Sequence, residues 1–198
     1  MSEDKQINRT RRNLVVATCA AGGVAGVAAA VPFAASWLPS ERAKAGGAPV
    51  EADISKLEPG QIMTVEWRSK PVWIVRRTKE MLDSIASGTS KLSDPGSDVP
   101  MQPDYAKNEF RSIKPEVLVL VGICTHLGCS PQSKPAEDKA EMGADWAGGF
   151  FCPCHGSKFD FAGRVYRNVP APTNLVVPSH RYLNATVVRI GENRERTT

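Results

Sequence analysis

Two short stretches decide how this chain is read: Cys124-Thr-His-Leu-Gly-Cys129 and Cys152-Pro-Cys-His-Gly-Ser157. Four of the five cysteines and two of the three histidines fall within these twelve positions. Such a concentration points to a metal site, and the spacing bears on which metal. A structural zinc site uses Cys-x₂₋₄-Cys and His-x₃₋₅-His pairs. Here each stretch offers cysteine and histidine together, as Cys-x-His and Cys-x-x-His. Two such loops can place two thiolates on one iron and two imidazoles on its neighbour, as in a [2Fe–2S] cluster of mixed ligation. A zinc domain, which would be colourless, is the alternative.

The ligand types imply a chemistry. Two ferric ions, two sulfides and two thiolates formally sum to zero, against roughly −2 with four thiolates, so an added electron meets less negative charge. Hydroxyls of Thr125 and Ser157 close to the sulfurs would raise the potential further. An imidazole with one ring nitrogen on iron can leave the other open to solvent and exchange a proton as the electron arrives. His126 or His155, as an exposed imidazole, is therefore expected to take up a proton while the cluster takes up one electron.

Outside these boxes the charges are unevenly placed. The 198 residues carry 25 Lys+Arg and 21 Asp+Glu, a net +4 that is too weak for an electrostatic nucleic-acid binder. None of the charges lies between Asn13 and Ser40. As a helix, residues 14–38 would reach about 37 Å, enough to cross a hydrocarbon core. Lys5, Arg9, Arg11 and Arg12 outnumber Glu3 and Asp4 on the N-terminal side and place that end in the cytoplasm. A cleaved secretory signal, with a site near Ala34-Ala35-Ser36, and a buried core helix compete with this reading. The absence of a polar face and the length favour a retained anchor. Thr10-Arg11-Arg12-Asn13-Leu14-Val15 is similar to a twin-arginine export signal. Cys19 reads as a small apolar residue of the helix, and Gly22 and Gly26 form a Gly-x-x-x-Gly.

Residues 41–52, small and polar with a Gly pair, look like a flexible tether. Beyond it lie strand signals at 62–67 and 72–76 (a hairpin), 117–123, 149–151, 163–166, 175–177 and 186–190. Thr78 to Ser87 reads as a short capped helix. Residues 88–115, with four prolines, read as loop. The stretch 130–151 looks like a surface insertion whose charges face solvent, and His180 like an ordinary surface or turn residue. The fold class is mainly β with one N-terminal membrane helix.

The two boxes, the stretch Gln102-Pro-Asp-Tyr-Ala-Lys-Asn-Glu-Phe-Arg-Ser-Ile-Lys-Pro-Glu116, the Pro170-Ala-Pro172 loop and the twin-arginine anchor resemble the Rieske iron–sulfur subunits of bacterial ubiquinol–cytochrome c reductase, the cytochrome bc complex. The resemblance implies an antiparallel Rieske head with a cluster-binding subdomain over residues 53–198, a cytoplasmic arm at 1–12, an anchor at 13–40 and a hinge at 41–52. It implies one [2Fe–2S] cluster per subunit, with Cys124 and Cys152 on one iron and His126 and His155 on the other. It also implies a Cys129–Cys154 disulfide across the two loops. That bond needs an oxidising compartment, which export to the periplasm supplies. Ser157 matches a hydroxyl that hydrogen-bonds a bridging sulfide. Leu127, Gly128 and Pro170-Ala171-Pro172 match an apolar cap over the cluster. The implied partners are cytochrome b and a c-type cytochrome in a dimeric complex of the inner membrane, with ubiquinol as electron donor. A Rieske subunit of a periplasmic arsenite-oxidase-type enzyme is the rival. Two positions depart from the family: Phe159 stands where a tyrosine often donates to a ligand sulfur, and Val169 where a glycine often opens the proline loop.

Overall fold

A computed structural model of the chain describes residues 8–193, with a boundary between two units after Ala45. In the first, Asn8 accepts the Arg11 N–H at 3.2 Å and caps helix α1, Arg9–Ala35. Its 27 residues span about 40 Å. The helix thus begins four residues before the uncharged run and places Arg9, Arg11 and Arg12 in its first turns. Basic groups there oppose the helix dipole, so their value lies in holding that end at a cytoplasmic surface. The helix runs through Pro32, and none of its side chains is buried. Thr18 turns its hydroxyl back to the Leu14 and Val15 carbonyls, as a polar group must in hydrocarbon. Residues 1–7 of the expected cytoplasmic arm lie outside the described residues.

The expected twelve-residue tether is shorter than the composition suggests. Ser40 caps a second helix, α2, Glu41–Gly46, which Glu41 and Lys44 staple at 2.7 Å. Val50–Asp53 then form strand β1. Only residues 47–49 remain outside a helix or strand. The small polar residues that read as flexible are good helix formers once Ser40 caps them.

The head is built from three three-stranded antiparallel sheets. In the first, β1 pairs with β9 (Val187–Ile190), which pairs with β8 (His180–Tyr182). In the second, β2 (Ile62–Trp67), β3 (Lys70–Arg76) and β4 (Val117–Val121) form a meander. The expected hairpin is confirmed, closed by a two-residue turn in which Arg68 and Ser69 both take φ near +55° (53° and 56°). Strand β4 is buried at every residue, as its unbroken Val-Leu-Val-Leu-Val requires. The third sheet, β5 (Gln132–Lys134), β6 (Gly149–Cys152) and β7 (Ser157–Phe159), carries the site. Helix α3, Lys79–Ser87, forms as expected behind its Thr78 cap. The short helix α4 spans Lys139–Met142.

Three readings of the sequence are corrected. Residues 163–166 form only isolated bridges, and 175–177 no strand, because their backbone groups bond to separate segments. Leu175 N–H reaches Gly163, Val177 N–H reaches Met101, and the Val176 carbonyl accepts from Val121. The stretch 130–151 is no mere surface insertion. It supplies β5, buries Met142 and Trp146, and ties the Trp146 indole N–H to the Pro135 carbonyl at 2.9 Å. Glu137, Lys139 and Glu141 do face outward, while Lys134, partly covered, pairs with Glu141 at 2.8 Å.

His180 is also not a surface residue. It is 1% exposed, its backbone N–H donates to the Tyr105 hydroxyl at 2.7 Å, and that hydroxyl donates back to its carbonyl. Burial holds its imidazole below the ordinary value, with the Pro178 carbonyl opposing. A histidine kept neutral by burial stabilises the fold above its unfolded value, and that stability is lost as pH falls through the lower folded value. Thermal melts should therefore lose stability below about pH 6.5. His180→Gln should show a shallower loss over the same interval; an identical pH profile would contradict the assignment.

Candidate metal centre

The two boxes are loops at the edge of the core. The first leaves β4 and leads to β5. The second is the β6–β7 hairpin, in which Cys152 and Ser157 are directly paired. Both loops close in the same way: the N–H of the fifth residue reaches the carbonyl of the first, Gly128 to Cys124 at 3.1 Å and Gly156 to Cys152 at 3.0 Å. Each closure puts the glycine in the left-handed region, at φ 86° and 78°. Open space surrounds both Cα atoms. Backbone conformation and not crowding therefore calls for glycine there.

Cys124 and Cys152 are free and 2% exposed, and they sit in the main core with Phe150, Phe159 and Leu175. Cys129 and Cys154 are joined in a disulfide that links the two loops. The Cys129, Cys152 and Cys154 sulfurs lie within 4.8 Å of one another. Two of those three sulfurs are bonded to each other and offer no thiolate, which leaves Cys124 and Cys152 as the available pair. Burial pushes the Cys124 thiol up, opposed by a hydrogen bond from the His126 backbone, and Cys152 and Ser157 bear on the same sulfur. The imidazoles of His126 and His155 meet edge to face, at right angles, with ring centres 4.7 Å apart. His126 is half-buried and His155 exposed. Two buried thiols and two contacting imidazoles on the same pair of loops suit a mixed-ligand two-iron cluster, each iron taking one kind of donor.

Around this set the polar groups are assigned. Ser157 is fully buried and accepts the Ala171 N–H at 3.0 Å, so its own proton remains free to point at sulfur. Thr125 departs from expectation: its hydroxyl donates to the Thr173 carbonyl at 2.8 Å and ties the first box to the proline loop. Leu127 is 71% exposed at the tip of its loop. Pro170 and Pro172 are exposed, with Ala171 buried between them. Val169 needs no glycine, since the left-handed conformation falls on Asn168 at φ 59°. An asparagine tolerates it. Phe159 is fully buried in the core that holds both free cysteines. Phe159→Tyr should raise the midpoint potential by adding a donor beside the sulfurs. An unchanged or lower midpoint in a redox titration would count against it.

Sequence reasoning missed the buried ionic groups under the loops. Arg164 pairs with Asp160 at 2.7 Å, both nearly inaccessible. Arg77 donates to the Pro115, Phe110 and Phe161 carbonyls and to Ser112. Arg111 is buried among carbonyls as well. No periodicity marks an arginine that turns inward, although Arg111 and Arg164 both lay within stretches singled out in advance.

Residues 98–181 match the Rieske [2Fe-2S] domain, and residues 1–40 match the "Ubiquitinol-cytochrome C reductase Fe-S subunit TAT signal" family. The chain is 61% identical over 189 residues to the ubiquinol-cytochrome c reductase iron-sulfur subunit of Allochromatium vinosum, covering 95% of this chain and 91% of that one. The chain belongs to this family of Rieske iron–sulfur subunits. Similar Rieske subunits occur in Blastochloris viridis, 43% identical over 96% of this chain and 98% of that one, and in Bradyrhizobium diazoefficiens, 42% identical over 92% and 94%. The domain match makes the cofactor a [2Fe–2S] cluster and sets aside zinc. The end-to-end match, anchor included, sets aside the arsenite-oxidase-type rival. The export-signal match and helix α1 together describe a Tat-exported, single-pass protein of the inner membrane with its Rieske head in the periplasm. The chain is an electron-transfer subunit of a membrane oxidoreductase complex of the bc type.

Proposed function

We propose that this Rieske subunit takes electrons singly from ubiquinol at a cytochrome b subunit and passes them to a c-type cytochrome subunit of the same dimeric complex. In this reading Cys124 and Cys152 hold one iron, and His126 and His155 the other. Residues 1–12 form the cytoplasmic arm, 13–40 the membrane segment, 41–49 the tether, and the remainder the head. The observation that carries it is the pair of imidazoles in edge-to-face contact on the same two loops that supply two buried free thiols, with one imidazole exposed.

The bound cluster supplies a one-electron acceptor of raised potential. The chain's own groups do the rest. His155, exposed, is available to take the hydroxyl proton of a docked quinol through the ring nitrogen that iron leaves free. Leu127, 71% exposed beside His126, offers the apolar contact that a quinol ring or an apolar docking rim needs. The Cys129–Cys154 bond holds the two loops together, and Ser157 stabilises sulfur charge from inside. The tether keeps the head within reach of both partners at high effective concentration.

Proton uptake by a cluster imidazole ties the midpoint potential to pH. A redox titration of the full chain should show the midpoint constant in acid and falling in alkali by about 59 mV per pH unit for one proton and one electron. A midpoint flat to high pH would rule out the imidazole as the proton acceptor.

A further inference from the structure

The segment from Ala171 to Leu175 is tied down along most of its length. Ala171 N–H donates to the Ser157 hydroxyl of the second box, and the Thr173 carbonyl accepts from Thr125 of the first. The Asn174 side chain accepts the Val165 N–H at 2.8 Å and donates to the Asp94 carbonyl at 3.0 Å. Leu175 N–H donates to the Gly163 carbonyl at 2.8 Å. The Leu175 carbonyl is taken by the Nη2 of Arg111, at 2.7 Å. The same guanidinium donates to the Ala162 and Gly163 carbonyls, each at 3.2 Å, and to Gln102 Oε1 at 2.9 Å. One side chain therefore fixes the end of this segment against two other loops.

Arg111 holds this place against several unfavourable terms. It is fully buried, yet among the described residues no carboxylate lies within ion-pair distance of it. Its Nε has no acceptor. Its backbone sits at φ 50°, in the left-handed region that a long side chain rarely adopts. Burial lowers the guanidinium only to about 10, so it stays charged at neutral pH. A buried cation, an orphan donor and a strained backbone each oppose folding. Such features persist where the surroundings over-determine them, and they cluster at functional sites.

We propose that Arg111 is a positioning residue for the cluster: by holding the Leu175 carbonyl it sets the 171–175 segment, and through Ala171 it fixes the Ser157 hydroxyl toward the Cys124 sulfur. This rests on the reading of the two boxes as the [2Fe–2S] site. When the Ala171 N–H moves, the Ser157 oxygen loses the donor that orients it, and its proton rotates away from sulfur. Negative charge on the reduced site is then less well stabilised.

The test is a redox titration of the full chain, followed by EPR, on Arg111→Lys, Ser157→Ala and the double variant. Lysine keeps the buried charge but loses the planar fork that spans four acceptors. Arg111→Lys should lower the equilibrium constant for reduction about tenfold, a midpoint shift of about 59 mV for one electron. In the Ser157→Ala background the same substitution should shift nothing further, because the group it acts through is gone. An unchanged midpoint in Arg111→Lys, or full additivity in the double variant, overturns the proposal. Where Arg111→Lys does not accumulate as folded protein, Gln102→Leu removes one acceptor of the fork and should shift the midpoint in the same direction by less; no shift there overturns it too. The unsubstituted chain controls for the site itself. A missing [2Fe–2S] signal there would refute the ligand reading, whereas a native signal indifferent to Arg111 would refute only this inference.

Discussion

Cys152→Ala should leave the chain without cluster iron and reduce quinol–cytochrome c reductase activity to background, while Cys19→Ser retains both. Cys152 closes β6, 2% exposed as a residue, in the core that also holds Cys124. Three of the four box cysteines have sulfurs close together, so proximity alone does not say which ones ligate. The disulfide argues for Cys124 and Cys152, since a sulfur bonded to sulfur carries no thiolate charge to give a metal. Losing one of only two thiolates removes half of the charged protein donors of one iron, and neither neighbour can replace it without breaking the Cys129–Cys154 bond. Cys19 lies exposed on α1, in the other unit. Iron and sulfide analysis of the purified chains, with activity in membranes, checks both halves. A Cys152→Ala protein with native iron content would mean that the ligand pair is wrong.

Removing the disulfide should have a different signature. The Cys129→Ala, Cys154→Ala double variant should still assemble the cluster in the cold but melt about 10 °C lower. The bond spans 25 residues of sequence. The chain-entropy model values a loop of that size at ~3–4 kcal/mol. For a chain of this length each kcal/mol moves the melting temperature by about 2–4 °C. The bond also clamps the two loops against each other, so its loss should shorten the lifetime of the cluster in air. Thermal melts followed by cluster absorbance measure both effects. An unchanged melting temperature and lifetime would show that the core beneath the loops, not the bond, holds them together.

The site was more legible in the sequence than the fold around it. Cysteine and histidine carry their chemistry locally, so the two boxes announced their contents from spacing, and the structure places those side chains together. The glycines at the fifth place of each box were visible too, and their left-handed backbone explains them. Strands whose partners are hydrogen-bonded neighbours were also readable: β2, β3 and β4 alternate or run apolar as their burial demands. What failed depended on distant partners. His180 looked like a turn residue because the hydroxyl that buries it belongs to Tyr105, 75 positions away. Leu175-Val-Val177 had the composition of a strand, but its backbone groups are shared among three segments. The tether composition matched a flexible linker, and a single serine cap was enough to make half of it helical. Arg111 is the extreme case. A charged residue at a left-handed backbone position in a loop reads as surface, and only the fold reveals the four acceptors waiting for it.

The central claim is that the two boxes hold a high-potential [2Fe–2S] cluster through two cysteines and two histidines. EPR of the purified full chain after reduction with ascorbate tests it most directly. The neutral imidazole ligands and the Ser157 hydroxyl should raise the potential enough for this mild reductant to suffice. A rhombic [2Fe–2S] signal appearing with ascorbate is the predicted result; a signal that needs dithionite, or none at all, would contradict it.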